Sequence, residues 1–361
     1  ARNPKLDPAE VEDVLWGCVM QTLEQGMNIA RMVAVMSVLP HEVAGQTVNR
    51  LCGSGMNAVG NVADSIAAGT LELAIAAGVE SMSRAPFVMG KQDAAFGRKT
   101  DVFDTTLGWR FVNSKIEEQY GIDSMPETAE NVAEEFQISR EDQDAFATAS
   151  VRRALEATQK GLFDDEIVPV LVRTRRNETR VDKDEEPFRC ELDKIPEMRP
   201  AFRRDGGTVT AASSSSISDG AAALVITSAA TAEEKGLDPI ARIVAHSGFA
   251  HAPEWFTTAP VFAIEALQNK LGWTPDDVDL YEINEAFACV TMAAMKDVGL
   301  DHGKVNVNGS GISLGHPIAA TGVRVLVTLL HEMKRRGVRY GLETICGGGG
   351  LGIAAVFERI E

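Results

Sequence analysis

Apolar positions in this chain fall into short β-prone runs that alternate with amphipathic, helix-prone stretches. The spacing predicts strands over Gln46–Leu51, Leu73–Gly78, Ala221–Ile226, Ile240–Ala245, Tyr340–Gly347 and Gly352–Phe357. It predicts helices over Met56–Gly69, Thr128–Phe136, Arg140–Lys160 and Val261–Leu271, with Ser139 and Asp142 framing a capping box. Strands and helices in alternation indicate an α/β protein.

The pattern occurs twice. Leu6 to Gly17 reads as a helical turn with proline at its first position, then a strand, and Trp273 to Asn284 repeats it. Thr47 to Gly60 (strand, glycine turn around Cys52, helix) matches Val305 to Gly322 (strand, glycine turn around His316, helix). Two similar halves with central sheets packed in layers follow, one formed by residues 1–83 and 218–231, the other by residues 232–361. The strand at Ile240–Ala245 and the helix at Val261–Leu271 precede the shared pattern in the second half, but the first half begins almost at the pattern itself. Its first strand and helix are therefore expected to be missing, leaving a sheet without an inner strand.

Residues 84–217 have another character, rich in Arg and Glu and punctuated by Pro187, Pro196 and Pro200, and read as an insertion between two strands of the first half. Arg173, Arg175, Arg176, Arg180, Arg189, Arg199, Arg203 and Arg204 make it locally basic; a solvated face and a phosphate site both fit such a run. The small-residue stretch Thr208 to Gly220 could be a flexible linker, but a strand follows it directly, which favours close backbone approach.

Composition narrows the function. The 361 residues are 45% hydrophobic and 24% charged, as in soluble globular proteins, and the net charge of -17 disfavours nucleic acid or an anionic membrane as partner. Five cysteines without a CxxC pair suggest neither a disulfide framework nor a zinc site. No run reaches membrane-spanning length, and Ala1-Arg2-Asn3-Pro4-Lys5 lacks the apolar core of a signal peptide. A cytoplasmic location is expected, or an organelle matrix if a targeting segment is absent from this chain.

Four turns beside predicted strands carry reactive groups. Cys52, in Asn49-Arg50-Leu51-Cys52-Gly53-Ser54-Gly55-Met56, opens a helix, where backbone N–H groups and the helix dipole favour a thiolate; an inert core cysteine fits the local sequence equally well. Asn284 stands in Asn284-Glu285-Ala286-Phe287, His316 in Gly315-His316-Pro317, and Cys346 before Gly347-Gly348-Gly349-Gly350. In their joint occurrence and order, nearly end to end, the chain resembles the thiolase family. Any one of these segments alone would be weak; Cys18, Cys190 and Cys289 read as inert.

The resemblance implies a thiolase fold with an inserted loop domain that binds coenzyme A. It implies cleavage of a 3-ketoacyl-CoA to acetyl-CoA and a shortened acyl-CoA, or the reverse condensation, through an acyl-cysteine. Cys52 would be the nucleophile, His316 its base, and Cys346 the acid that protonates departing acetyl-CoA. Asn284, through a water, and His316 would hold the enolate oxygen, and the N–H groups of Cys52 and Gly348 a second oxyanion hole. Arg189, Phe202, Ala211 and Ser215 would contact CoA, and Met125 and Phe287 would wall the acyl pocket. No metal or resident cofactor is implied, CoA being a substrate, and family members are usually homodimers or homotetramers.

Gly347, Ala319 and Ser213 to Ser216 depart from the family pattern. They motivate a second hypothesis, a non-catalytic acyl-CoA-binding relative or a structural subunit of a β-oxidation complex. A decarboxylating ketoacyl synthase would use one Cys and two His, and Asn284 with Cys346 argues against it. Glu80 to Pro86 and Asp104 to Arg110 resemble short-chain and 3-oxoadipyl-CoA thiolases, whereas Leu23 to Gly26 is closer to fatty-acid-oxidation members.

Overall fold

The computed structural model describes residues 3–360 apart from Asp93 and Arg204, so the readings placed on Ala1, Arg2 and Arg204 lie outside the described residues. The first half contains β1 (Asp13–Gly17), α1 (Ile29–Met36), β2 (Gln46–Val48), α2 (Ser54–Ala67) and β3 (Leu73–Ser81). The insertion follows, with a hairpin β4 (Phe87–Met89) and β5 (Val102–Asp104) and helices α3 (Ser114–Tyr120), α4 (Met125–Glu135) and α5 (Arg140–Gln159). It continues through a second hairpin, β6 (Val170–Arg173) and β7 (Glu178–Val181), and α6 (Glu186–Arg189). β8 (Asp219–Thr227) returns to the first sheet, and α7 (Ala229–Glu234) leads out of it. The second half contains β9 (Ala241–Ala250), α8 (Ala259–Leu271), β10 (Leu280–Ile283), α9 (Ala288–Val298), α10 (Gly311–Leu314), α11 (Thr321–Arg336), β11 (Tyr340–Gly347) and β12 (Leu351–Arg359).

The two sheets, of strand orders β2-β1-β3-β8 and β10-β11-β12-β9, share a three-stranded core in which β1, β3 and β8 correspond to β10, β11 and β12. In each, two parallel neighbours are followed by an antiparallel return, β3 with β8 and β11 with β12. The repeated helical turns sit where expected, at Pro8–Glu10, capped by Asp7, and at Pro275–Asp277. The predicted strand after Val305 is reduced to one bridge between Tyr281 and Val305, because the chain there turns at once into Gly309 and α10.

In the second half β9 pairs with β12 at the edge of its sheet, so the counterpart absent from the first half would lie beside β8, at an edge. The expected gap is therefore not inside the sheet. Residues of β1, β2 and β3 stay paired in register without it.

The main core lies between the sheets. Met56, Val59 and Val62 of α2 and Val323, Leu326, Leu329 and Met333 of α11 pack together, with Leu15, Ala74 and Ala76 from one sheet and Ile345, Ile353 and Phe357 from the other. Strand alternation sends Leu73 and Val14 to the opposite face, against α1, and Leu342 and Val356 to the face covered by α8. Truncating a fully buried residue such as Leu326 to alanine costs about 2–5 kcal/mol. At Gly55, an added Cβ would lie 2.6 Å from the carbonyl oxygen of Ala319, and at Gly78 it would meet the same oxygen. Two glycines of the first half thus let the His316 turn of the second half dock directly against α2 and β3.

No helix among the described residues is long and apolar enough to cross a membrane.

Candidate active site

Cys52 stands at the apex of a turn between β2 and α2. Gly53 N–H donates to Arg50 O (3.2 Å), Ser54 N–H to Leu51 O (3.0 Å), and Ser54 Oγ accepts from Arg50 N–H (2.8 Å). Leu51 adopts φ of +51°, a conformation disfavoured for a branched side chain, and this sharp corner lifts the thiol off the strand. The helix begins at Ser54, two residues before the predicted start, so Cys52 precedes its cap, Gly53.

The backbone N–H groups of Cys52 and Gly348 both reach the Cys52 sulfur. Enclosure of the sulfur nevertheless outweighs them and pushes the thiol up to about 11, with the Glu80 carboxylate adding to the rise. Burial thus outweighs the helix N-terminus and favours the thiol, so a nucleophile here would form when a base takes the proton.

His316 is buried, and burial pushes it down to about 3, with the Arg324 guanidinium contributing. Its Nδ1 lies 2.6 Å from Thr321 Oγ1, which itself donates to Pro317 O (3.1 Å). With that hydroxyl proton committed, Nδ1 carries the imidazole proton and Nε2 is the free acceptor. Gly315, at φ of +90°, makes the corner that presents the ring, and His316 N–H donates to Ser216 O (3.3 Å).

Asn284 ends β10, its N–H donating to Thr344 O (3.1 Å). The residue is 1% exposed, yet neither Oδ1 nor Nδ2 has a protein partner. Such an amide is suited to hold a small polar molecule such as water. Behind it Glu285 accepts from Ser150 Oγ (2.7 Å), Asn306 Nδ2 (2.9 Å) and Ile312 N–H (3.2 Å), pinning the turn.

Cys346 lies near the end of β11, opposite Gly352, and is fully buried beside Phe287, with Met125 packed on the same cluster. Burial holds its thiol well above the ordinary value, and the Cys52 sulfur adds to this. A Cβ on Gly347 would lie 3.3 Å from Leu351 Cβ and 3.4 Å from Arg50 O, so this position borders the Cys52 turn at close to ordinary contact distance. At Gly348 an added Cβ would meet Met125 Cε at 3.0 Å and Leu51 Cδ1 at 3.2 Å.

The serine stretch is no flexible linker. Ser215 N–H donates to Ala286 O (3.0 Å), Ser213 O accepts from Ala288 N–H (2.8 Å), and Ser213 and Ser214 bond back to Thr210, so the segment is stitched between the Asn284 and His316 turns. Ala319 is likewise accommodated, buried with its N–H on Glu80 Oε2 (3.3 Å).

Cys52, His316, Asn284, Cys346, Gly348, Ser215, Met125 and Phe287 therefore belong to one junction of turns and strand ends. The remaining candidates stand apart from it. Ala211 and Phe202 are exposed on the insertion, and Arg189 is exposed on α6, paired with Glu185 at 3.1 Å. Of the basic run, Arg173 pairs with Glu178, Arg180 with Asp182 and Arg203 with Glu134, largely in solvent. Cys18 and Cys289 are pushed up to about 12 by burial, as inert thiols are.

Two residues that hold the His316 turn escaped the sequence reading. Thr321 fixes the His316 tautomer, and its only signal was its place five residues on, at the start of the helix. Glu80, 1% exposed, accepts from Val19 N–H (3.0 Å), Met20 N–H (3.0 Å) and Ala319 N–H (3.3 Å), tying the His316 turn to the first half. A glutamate ending an apolar strand was the only hint.

Residues 1–230 match the family model described as thiolase, N-terminal domain, and residues 237–359 that described as thiolase, C-terminal domain. The chain belongs to the thiolase family. It is 46% identical over 362 residues to the β-ketoadipyl-CoA thiolase of Pseudomonas aeruginosa, covering 99% of this chain and 90% of that protein. It is 46% identical over 363 residues to the 3-oxoadipyl-CoA/3-oxo-5,6-dehydrosuberyl-CoA thiolase of Escherichia coli K12, with coverage of 99% and 90%. The crystal structure of the Bacillus anthracis acetyl-CoA acetyltransferase superposes with a TM-score of 0.92 at 40% identity, over 99% of this chain and 89% of that one. This thiolase has the fold that its sequence implied and is an acyltransferase, cleaving a 3-oxoacyl-CoA with coenzyme A or running the reverse condensation.

Proposed function

We propose that this thiolase acts on a dicarboxylic 3-oxoacyl-CoA of the 3-oxoadipyl-CoA type, with Cys52, His316, Cys346 and Asn284 in the roles below. The supporting observation is the Cys52 turn, where the N–H groups of Cys52 and Gly348 reach the Cys52 sulfur, the Cys346 thiol is close enough to feel it, and the His316 turn docks through Ala319 on Gly55 and Gly78. Similarity over nearly the whole chain to thiolases named for β-ketoadipyl-CoA supports the substrate class over a fatty acyl chain.

His316 Nε2 takes the Cys52 proton as the sulfur adds to the 3-keto carbon, and the resulting alkoxide is held by the N–H groups of Cys52 and Gly348. Collapse breaks the C2–C3 bond. The electron pair leaves as the acetyl-CoA enolate, its oxygen stabilised by His316 and by a water on Asn284, and the Cys346 thiol protonates C2. Free CoA then gives its thiol proton to the Cys346 thiolate and attacks the acyl-Cys52, whose sulfur recovers the proton from His316. Neutral starting groups make each transfer local.

Coenzyme A is thus a substrate, and the chemistry calls for no metal or resident cofactor. Association into a homo-oligomer would cover the exposed apolar side chains of the first hairpin and the segment after it, Phe87, Met89, Phe96 and Phe111.

Thiolysis rates for 3-oxoadipyl-CoA, acetoacetyl-CoA and 3-oxohexanoyl-CoA test the substrate class. The expected order puts 3-oxoadipyl-CoA first in kcat/KM by about tenfold or more. Equal or higher values for 3-oxohexanoyl-CoA, which has the same chain length and no carboxylate, would overturn it.

A further inference from the structure

The hairpin between β11 and β12 turns through Gly348, Gly349 and Gly350, three residues without side chains. Such a run has more conformational freedom than any other, yet its first N–H reaches the Cys52 sulfur and is the proposed oxyanion donor. An oxyanion donor is worth most when it is held in place before the charge develops, so the loop needs a hold from outside itself. Met125 Cε and Leu51 Cδ1 border one end of it, at Gly348. Gly349 is exposed, and a Cβ there would have nothing within 4 Å.

The other end is gripped by the segment after β9. His251 N–H donates to Gly350 O (2.9 Å), which carries the β9–β12 pairing one step past Ala250 and Leu351. Gly350, at φ of +88°, is buried, and a Cβ there would collide with His251 O. The two backbones are packed so closely that a shift of one displaces the other.

The side chain of residue 251 keeps its backbone there. The half-buried imidazole stands edge-on to Phe262, with ring centroids 5.3 Å apart, and is tilted against Phe249 at 5.6 Å. Those two phenyl rings stack on each other at 4.8 Å. Thr258 Oγ1 donates to Trp255 O (2.9 Å), and so it accepts from His251 Nε2 (3.4 Å). Phe249 belongs to β9, Phe262 to α8 and Thr258 to the helical turn Pro253–Thr258, so the ring ties three elements together where the loop is gripped. Phe256, in the same turn, is buried in the cluster that holds Cys346 and Phe287.

We infer that His251 is a positioning residue for the thiolase reaction: its ring, wedged among Phe249, Phe262 and Thr258, fixes the backbone that clamps Gly350 and thereby holds the Gly348 N–H at the Cys52 sulfur. The inference rests on the oxyanion role proposed for Gly348, and is independent of the acyl chain. His251 acts through the Gly348–Gly350 loop and not on the reacting atoms. Since an oxyanion donor counts for more in the transition state than in the bound substrate, loosening the clamp lowers kcat and leaves KM nearly unchanged.

The test compares His251→Ala, His251→Gln and His251→Phe with the unaltered protein. It uses steady-state thiolysis of acetoacetyl-CoA and 3-oxoadipyl-CoA, and hydrogen–deuterium exchange of the peptide covering residues 347–351. His251→Ala should lower kcat by about tenfold on both substrates with less than about twofold change in KM, and should speed exchange in that peptide but not in α2 or α11. His251→Phe, which keeps a ring between Phe249 and Phe262, should recover most of kcat. His251→Gln, a milder change that keeps a donor for Thr258 but loses the ring contacts, should fall between. Unchanged exchange at 347–351 in His251→Ala and His251→Gln overturns the clamp and leaves the role of Gly348 standing. Faster exchange there with kcat unchanged overturns the inference together with the role of Gly348. Faster exchange throughout the chain also overturns it, since that marks a residue of general stability.

Discussion

His316 is held uncharged at neutral pH. Burial pushes it down to about 3 and pushes Cys52 up to about 11, so neither group ionises in the neutral range and proton transfer happens within the site. The pH dependence follows from these directions. His316 is lost as a base only when pH falls toward its lowered value, so kcat/KM for thiolysis should be flat from about pH 5 to 9, without an acid limb near the ordinary histidine range of about 6.5. Thr321→Val removes the acceptor of Nδ1–H and frees the ring to take the other tautomer. It should lower kcat by about 10- to 100-fold with little change in KM and leave the acid side of the profile flat, because burial and Arg324, not this hydrogen bond, hold the histidine down. A full pH–rate profile of both proteins checks this. At this scale the sequence showed the candidate residues and the helix N-terminus that favours a Cys52 thiolate, but not the enclosure of the sulfur that outweighs it.

Each of the candidate reactive groups stands at the end of a strand or in a turn that leads into a helix, and short contacts between elements fix where those ends meet. Glu80, at the end of β3, is the clearest case: it gathers N–H groups from the loop after β1 and from the His316 turn of the other half. Glu80→Gln keeps one acceptor oxygen but introduces an amide that faces donors. It should destabilise the fold by about 1–3 kcal/mol and lower kcat several-fold as the His316 turn shifts, while Tm and kcat measured together report both effects. The elements were legible where periodicity was strong. Tyr340–Gly347 was read to the residue, and Arg140–Gln159 within one. The strand expected after Val305 failed because glycine and asparagine there serve the Asn284 and His316 turns: Asn306 bonds both the N–H and the carbonyl of Ile283 at 2.8 Å. The serine run was ambiguous in sequence since its order comes entirely from partners in other elements.

At the scale of the whole molecule, duplication explains why the site lies where it does. Cys52 and His316 occupy equivalent turns of the two halves, and α2 and α11, the helices that follow those turns, pack against each other between the sheets. The repeat made this legible in the sequence, although the absent strand was placed inside the sheet instead of at its edge. The insertion is anchored on the second half by Arg153, donating to Val305 O (2.8 Å) and His302 O (3.0 Å), and by Glu166, which accepts from Thr328 Oγ1 (3.3 Å). Burial pushes Glu166 up to about 7. A carboxyl raised in the folded state keeps its proton there after the unfolded chain has lost it, so its contribution to stability is full below about pH 4.5 and is lost as pH rises toward 7. Glu166→Gln should flatten that decline, by on the order of 1–3 kcal/mol, in denaturant melts at pH 5 and pH 7.5. The central claim is that Cys52 carries the acyl group between the two half-reactions. Intact-protein and peptide mass spectrometry after acid quench of the protein with acyl-CoA, without free CoA, tests it most directly. The result expected is one acyl group per chain on the peptide containing Cys52, discharged by added CoA and absent in Cys52→Ala, whereas turnover by Cys52→Ala or an acyl group on Cys346 would contradict the account.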